Sequence, residues 1–205
     1  MSRILYIQAS PRKERSKSIQ VADAFVESYL KSHPSDTVEK LNLFETELPS
    51  FDGLAVQAKY TILHGQKHTA QERQVWDKVE KVIEHFKNAD KYVFAVPMWN
   101  FGIPWRMKQY IDILVQPGYT FRFGENGYEG LVRGKPAMVI YARGGSYPPD
   151  SPFDLQTKYV ELFLRFIGFE QIGSILVEPT LAEPAESEKA IQRALEQARK
   201  AAKTF

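Results

Sequence analysis

The sequence predicts an α/β fold: one domain over residues 1–205, a three-layer sandwich in which a five-stranded parallel sheet carries helices on both faces. Three observations lead there. Five short apolar runs bounded by turn residues recur along the 205 residues, helical periodicities fall between them, and no Gly-, Pro- or Ser-rich linker interrupts the alternation. At this length one core is favoured over two.

The strands expected are Ile4–Gln8, Thr37–Leu43, Tyr92–Val96, Ala137–Tyr141 and Ile172–Val177. In the first helix Ala22, Phe25, Val26, Tyr29 and Leu30 fall on one face of a helical period. The second begins at Thr69-Ala-Gln-Glu72, where Thr69 and Glu72 form a capping box, and continues through Val75, Val79, Val82, Ile83 and Phe86. Pro104 suits the first turn of a third helix carrying Met107, Ile111 and Leu114. Ser151-Pro152 opens a fourth, whose stripe reads Leu155, Tyr159, Leu162 and Phe166, and an Ala/Glu/Lys-rich tail from about Glu183 closes the chain as a fifth. Two connections are long: Phe44 to His68, and Pro117 to Lys135, where TFRF and ENGYEG suggest a short hairpin or lid over the sheet.

Composition narrows the function. Hydrophobic residues make up 43% and charged residues 25%, the balance of a soluble globular protein. No window reaches the roughly 18 consecutive apolar residues of a membrane span. The N-terminus places a short apolar run before a basic segment, the reverse of a secretory signal, and there are no cysteines. A cytoplasmic location is therefore expected, and thiol or iron–sulfur chemistry is excluded. The net charge of +2 is too small to imply a nucleic-acid partner, and the cluster Arg12, Lys13, Arg15 and Lys17 has no interleaved aromatic. No GxSxG elbow supports a serine hydrolase. His64 and His68 have the spacing of a metal pair but lie in an expected loop without an adjacent Glu, so no metal site is assigned.

Three segments at strand ends carry the functional signal. Ligands of open parallel sheets sit outside the carboxyl ends of the strands, where the strand order reverses. After the first strand, hydroxyls at Ser10, Ser16 and Ser18, with Lys17, precede a helix N-terminus; they suit a phosphate, or Ser16 or Ser18 merely caps the helix. With neither GxxxxGK[ST] nor GxGxxG present, a monophosphate fits better than a triphosphate or dinucleotide. After the third strand, Pro97, Met98, Trp99, Asn100 and Phe101 spend apolar side chains on a loop, either as satellite core or as the border of a flat ring. After the fourth come Ala142, Arg143, Gly144 and Gly145, a turn or a place of close backbone approach. Converging on one crevice, they imply a phosphate joined to a planar ring system.

The chain resembles the FMN-dependent NADH-azoreductase and quinone reductase family. The resemblance runs through nearly the whole length, in S-x5-S-x-S (Ser10, Ser16, Ser18), PMWNF (Pro97 to Phe101), TFRF-x-ENG-x-EGL (Thr120 to Leu131), RGG (Arg143 to Gly145) and F-L-x-F-I-G (Phe163 to Gly168). It implies a flavodoxin-like fold with sheet order 2-1-3-4-5 and bound FMN. Ser10, Ser16, Lys17 and Ser18 would hold the phosphate, Pro97 to Phe101 would border the isoalloxazine, and Ala142 to Gly145 would contact its pyrimidine side. Lys17 and Ala142 depart from the Gln and Ser usual in the family, which leaves backbone contacts there. The implied activity is a two-electron ping-pong cycle: NADH or NADPH passes hydride to the flavin N5, then a quinone or aromatic azo compound is reduced, with no catalytic side chain. A homodimer with its active site at the interface is also implied, Phe123 and Phe166 walling the substrate slot from the partner. The competing readings are a flavodoxin-like electron carrier, which is usually acidic, a metal-dependent phosphodiesterase, and a flavin-binding signalling module.

Overall fold

A computed structural model describes residues 1–125 and 127–205; Asn126, part of the ENG motif, lies outside the described residues. Its strands are β1 (Arg3–Gln8), β2 (Thr37–Asn42), β3 (Lys91–Pro97), β4 (Phe121–Gly124), β5 (Gly127–Gly130), β6 (Ala137–Ala142) and β7 (Ile172–Val177). Five of them form a parallel sheet in the order β2-β1-β3-β6-β7. With the antiparallel hairpin β4–β5 set aside, this is the expected order 2-1-3-4-5.

The central strands read as unbroken apolar runs because both of their faces are covered. Side-chain alternation divides them between two cores. Ile4, Tyr6, Val93, Ala95 and Ile140 face helix α1 (Lys17–Ser32) and helix α6 (Pro184–Ala201), packing on Phe25, Ala194 and Ala198. Leu5, Ile7, Phe94, Val139 and Tyr141 face the opposite layer, made of α2 (Gly53–Leu63), α3 (Ala70–Lys87), α4 (Trp105–Leu114) and α5 (Leu155–Ile167). The capping box of α3 forms as expected: Thr69 N donates to Glu72 Oε2 at 2.7 Å, and Glu72 N donates to Thr69 Oγ1 at 3.2 Å.

Two expectations need correction. The segment Phe44 to His68 contains α2, capped by Asp52, whose Oδ1 accepts from Leu54 N and Ala55 N. Only Ala55 and Ala58 of this helix are buried, while Val56, Tyr60 and Leu63 are exposed, so no one-sided apolar stripe announced it. In α5, Asp154 rather than Ser151 is the cap, and the buried line is Val160, Phe163, Leu164 and Ile167. Leu155 and Leu162, assigned to its core stripe, are exposed. The helix is apolar on two faces, and periodicity alone does not choose between them.

The hairpin rides on the C-terminal end of α5. Val132 N donates to the Ile167 carbonyl at 2.8 Å, and Gly130 crosses Gly168 so closely that a β-carbon at 130 would lie 2.3 Å from Gly168 N. No described helix is long and apolar enough to cross a membrane.

Candidate cofactor site

The loops after β1, β3 and β6 meet at one edge of the sheet. Ala9 N donates to the Ala95 carbonyl at 3.0 Å, and Met98 N donates to the Ala142 carbonyl at 2.8 Å. Between β1 and β3 the order turns, β2 lying on one side and β6 on the other. This is the topological switch point at which open α/β sheets form their ligand crevice.

One end of the crevice is the start of α1. Ser10, Ser16 and Ser18 are all buried. Ser16 occupies the N-cap position, yet its side chain accepts no bond from the first turn. Instead Ser16 Oγ lies 3.1 Å from Ser18 Oγ, and Ser10 Oγ accepts a long bond of 3.4 Å from Arg12 N. The first-turn N–H groups are thus left without a side-chain cap, beside hydroxyls free to turn toward an anion, and the macrodipole adds partial positive charge. Lys17 Nζ donates to Gln20 Oε1 at 3.2 Å, at the same helix end. Lys13 is engaged elsewhere: its ion pair with Glu45, 2.5 Å, raises the ammonium pKa above its ordinary value. This set of donors fits a phosphate monoester.

The apolar loop after β3 is a tight turn. Trp99 and Gly102 exchange backbone hydrogen bonds of 3.1 and 3.0 Å, and the two residues between them are left-handed, Asn100 at φ +46° and Phe101 at φ +69°. Asn tolerates that region; a phenylalanine there is strained by about 1–2 kcal/mol. Backbone strain of this kind persists where the surroundings over-determine it, and functional loops are where it collects. The turn holds Trp99, Asn100 and Phe101 toward solvent, with Met98 and Pro97 half-buried behind them. Sequence reasoning missed their neighbours. Phe44 stands 5.9 Å from Trp99 and Phe153 stands 5.5 Å from Phe101, ring centre to ring centre. Both sit in polar, turn-rich stretches, where an unexplained aromatic was the available signal. A groove of about 910 Å³ opens beside the turn, lined in part by Phe51, Asp52, Trp99, Asn100 and Trp105.

The third loop, after β6, turns its arginine inward. Ala142 and Arg143 are buried, but the Arg143 guanidinium points into the protein. Nε donates to Gln156 Oε1 at 3.0 Å, Nη1 to Glu178 Oε2 at 3.3 Å, and Nη2 to Asp154 Oδ2 at 2.9 Å and to Thr157 Oγ1. Its backbone is also committed, N–H to the Val177 carbonyl and C=O to Thr180. A buried guanidinium needs such partners, and the start of α5 and the residue after β7 supply them. Gly144 packs so tightly that a β-carbon would lie 2.8 Å from Leu181 Cδ1, whereas a β-carbon on Gly145 would meet nothing within 4 Å. Gly145 is therefore the open position of this loop.

Phe123 and Phe166 sit apart from these residues. Phe166 is half-buried under the hairpin, 4.7 Å from Phe121 and 5.3 Å from Tyr128, and Phe123 is exposed at its tip. His64 ends α2, while His68 Nε2 lies 2.8 Å from the Ala58 carbonyl oxygen. Among the described residues no group of three His, Cys, Asp or Glu is placed to hold a metal.

The family model described as flavodoxin-like fold matches residues 2–202. An FMN-dependent NADH:quinone oxidoreductase of Nitratidesulfovibrio vulgaris (strain DP4) is 50% identical over 211 aligned residues, covering all of both chains. Another of that name, from Desulfotalea psychrophila, is 48% identical over 95% of this chain and 93% of its own. Among solved structures, an azoreductase from Bacillus anthracis str. Sterne superposes with a TM-score of 0.92 at 32% identity over the whole of both chains. An FMN-dependent NADH-azoreductase from Bacillus anthracis str. Ames Ancestor, solved in complex with FMN, gives 0.87 at 30% identity over 98% of each. With a serine-lined helix N-terminus and a strained aromatic turn at its switch point, this chain belongs to the flavodoxin-like family of FMN-dependent NADH:quinone oxidoreductases and azoreductases.

Proposed function

We propose that residues 1–205 act as one FMN-binding unit that oxidises NADH and reduces quinones and aromatic azo compounds by two electrons. The observation that carries this reading is that two unlike features follow adjacent parallel strands at the same end of the sheet: an uncapped helix end with buried serines after β1, and an exposed aromatic turn held by backbone strain after β3. FMN, when bound, would supply the redox chemistry of hydride transfer. Every other part of the task falls to the chain.

The first turn of α1, with Ser10, Ser16, Lys17 and Ser18, holds the phosphate by N–H and O–H donation. Pro97 to Phe101 form the apolar border of the ring. Asn100 brings an amide donor and acceptor to that border, suited to stabilising charge that grows on reduction. Ala142, Gly144 and Gly145 approach the pyrimidine side through backbone, and Arg143 contributes from behind them. Donor and acceptor use the same flat apolar slot in turn, which is why the acceptor class is broad and why the cycle is ping-pong.

The working unit is a homodimer. Leu155 and Leu162 are exposed, and with Ile103 and Tyr159 they line an apolar hollow of about 500 Å³ rimmed by Lys108 and Lys158. Exposed apolar ground of this kind marks an association surface. In the dimer, Phe123 and the hairpin over Phe166 reach the partner's slot. A cysteine-free chain suits the reducing cytoplasm. Initial rates measured at several fixed concentrations of a small benzoquinone, with NADH varied, test the cycle: parallel reciprocal lines are expected, and intersecting lines contradict it.

A further inference from the structure

We infer that Arg143 is a positioning residue for the flavin ring, acting through Gln156 on the loop after β3. The inference rests on the FMN reading above. Arg143 belongs to the loop after β6, yet its side chain is spent inside the protein. It clamps Gln156, Asp154 and Thr157 at the start of α5 and Glu178 just past β7. Gln156, itself without accessible surface, uses its amide twice: Oε1 accepts from Arg143 Nε at 3.0 Å, and Nε2 donates to the Val96 carbonyl at 2.9 Å. Val96 directly precedes Pro97, the first residue of the ring-bordering loop.

One amide thus ties the end of β3, where the ring-bordering segment starts, to the loop after β6, and both of its hydrogen bonds are buried. Within this arrangement neither side chain can rotate without leaving a buried donor or acceptor unpaired, which fixes the spacing of the loops. The β3–β6 ladder, paired up to Pro97 and Ala142, and the Met98 N to Ala142 carbonyl bond also join them. The clamp does not reach Ser10, Ser16 or Ser18. Its loss is therefore expected to affect the ring and spare the phosphate.

The test uses the full chain stripped of flavin. Gln156→Met keeps the volume and removes both bonds; Arg143→Met removes the guanidinium, and Arg143→Lys keeps its charge but not its fork. FMN and riboflavin are titrated separately, and the visible circular dichroism of bound flavin is recorded. Gln156→Met is expected to loosen both ligands by the same factor, about tenfold, and to alter the dichroism of the flavin band. Arg143→Met should do the same, with Arg143→Lys intermediate, and the double variant should lose no more than the worse single one. Should Arg143→Met fail to fold, Gln156→Met decides alone. Glu72→Gln, which leaves one acceptor oxygen for the part-buried bonds donated by Thr61 Oγ1 and Thr69 N at the start of α3, controls for general destabilisation. Unchanged affinity and dichroism in Gln156→Met would overturn the inference, as would equal flavin loss in Glu72→Gln at a matched drop in Tm. If the wild-type chain takes up neither ligand, the FMN reading itself fails, an outcome separate from these.

Discussion

Replacing Ser16 with Asp should strengthen the empty protein and cripple its hold on FMN. Ser16 is the N-cap of α1, but its hydroxyl pairs with Ser18 Oγ at 3.1 Å and leaves the first turn uncapped. An Asp there can accept from those N–H groups, a gain of about 1 kcal/mol, or roughly 2–4 °C in Tm for a chain of this size. The same carboxylate stands where the phosphate is proposed to sit, and a phosphate monoester carries about −1.5 to −2 charges at pH 7. At about 5 Å and an effective dielectric near 20, each unit of that charge is repelled by about 3 kcal/mol. Screening in the open crevice lowers the sum, and about 3 kcal/mol taken as the surviving penalty corresponds to roughly 100-fold weaker binding. Ser16→Asn caps without charge and should keep most of the affinity. The assay is the ratio of riboflavin to FMN dissociation constants, with thermal melting of the apoprotein alongside. FMN affinity in Ser16→Asp equal to that in Ser16→Asn would refute the phosphate placement.

Four further outcomes are expected. Asn100→Gly suits the left-handed turn but deletes the amide, so FMN should stay bound while its reduction by NADH slows by about tenfold or more; unchanged stopped-flow traces would argue against a role for that amide. Gly130→Ala forces a β-carbon to 2.3 Å from Gly168 N, and displacing backbone at the hairpin root should cost about 1–3 kcal/mol, read as a lower urea midpoint. Glu72 is held below the ordinary carboxyl value of 4.5, chiefly by the Thr69 backbone N–H and next by the Thr61 hydroxyl. Its contribution is fully present above that value and lost as pH falls through the lower folded pKa, so Glu72→Gln should flatten the fall of the urea midpoint below about pH 4.5. Leu162→Asp tests the proposed dimer interface on the exposed face of α5: a shift toward monomer in sedimentation velocity is expected, and an unchanged sedimentation coefficient would contradict that interface.

The sheet was legible because its central strands are buried on both faces: Ile4 to Ile7, Tyr92 to Val96 and Ala137 to Tyr141 each give a continuous apolar run that a half-exposed strand would not. The capping box at Thr69 was legible for a local reason, since both of its partners lie within four residues. Helix α2 was not, because alanines supply its buried face and its larger apolar residues point outward. The α5 stripe misleads for the opposite reason: Leu155 and Leu162 hold a helical spacing on a face that the described residues leave exposed. At the candidate site, residue types showed where ligand chemistry was concentrated, but not what each side chain does. Arg143 is visible in the sequence as part of the RGG motif, but its partners Gln156 and Glu178, 13 and 35 positions away, are visible only in the fold. Phe44 and Phe153 reach the aromatic turn in the same non-local way.

The most direct test of the account is an anaerobic titration of the purified protein, supplied with FMN, by NADH and then by a quinone, followed by visible absorbance. The account expects the oxidised-flavin bands to bleach with one equivalent of NADH per flavin and to return on adding one equivalent of quinone. A protein that takes up no FMN, or whose bound FMN stays oxidised in excess NADH, would contradict it.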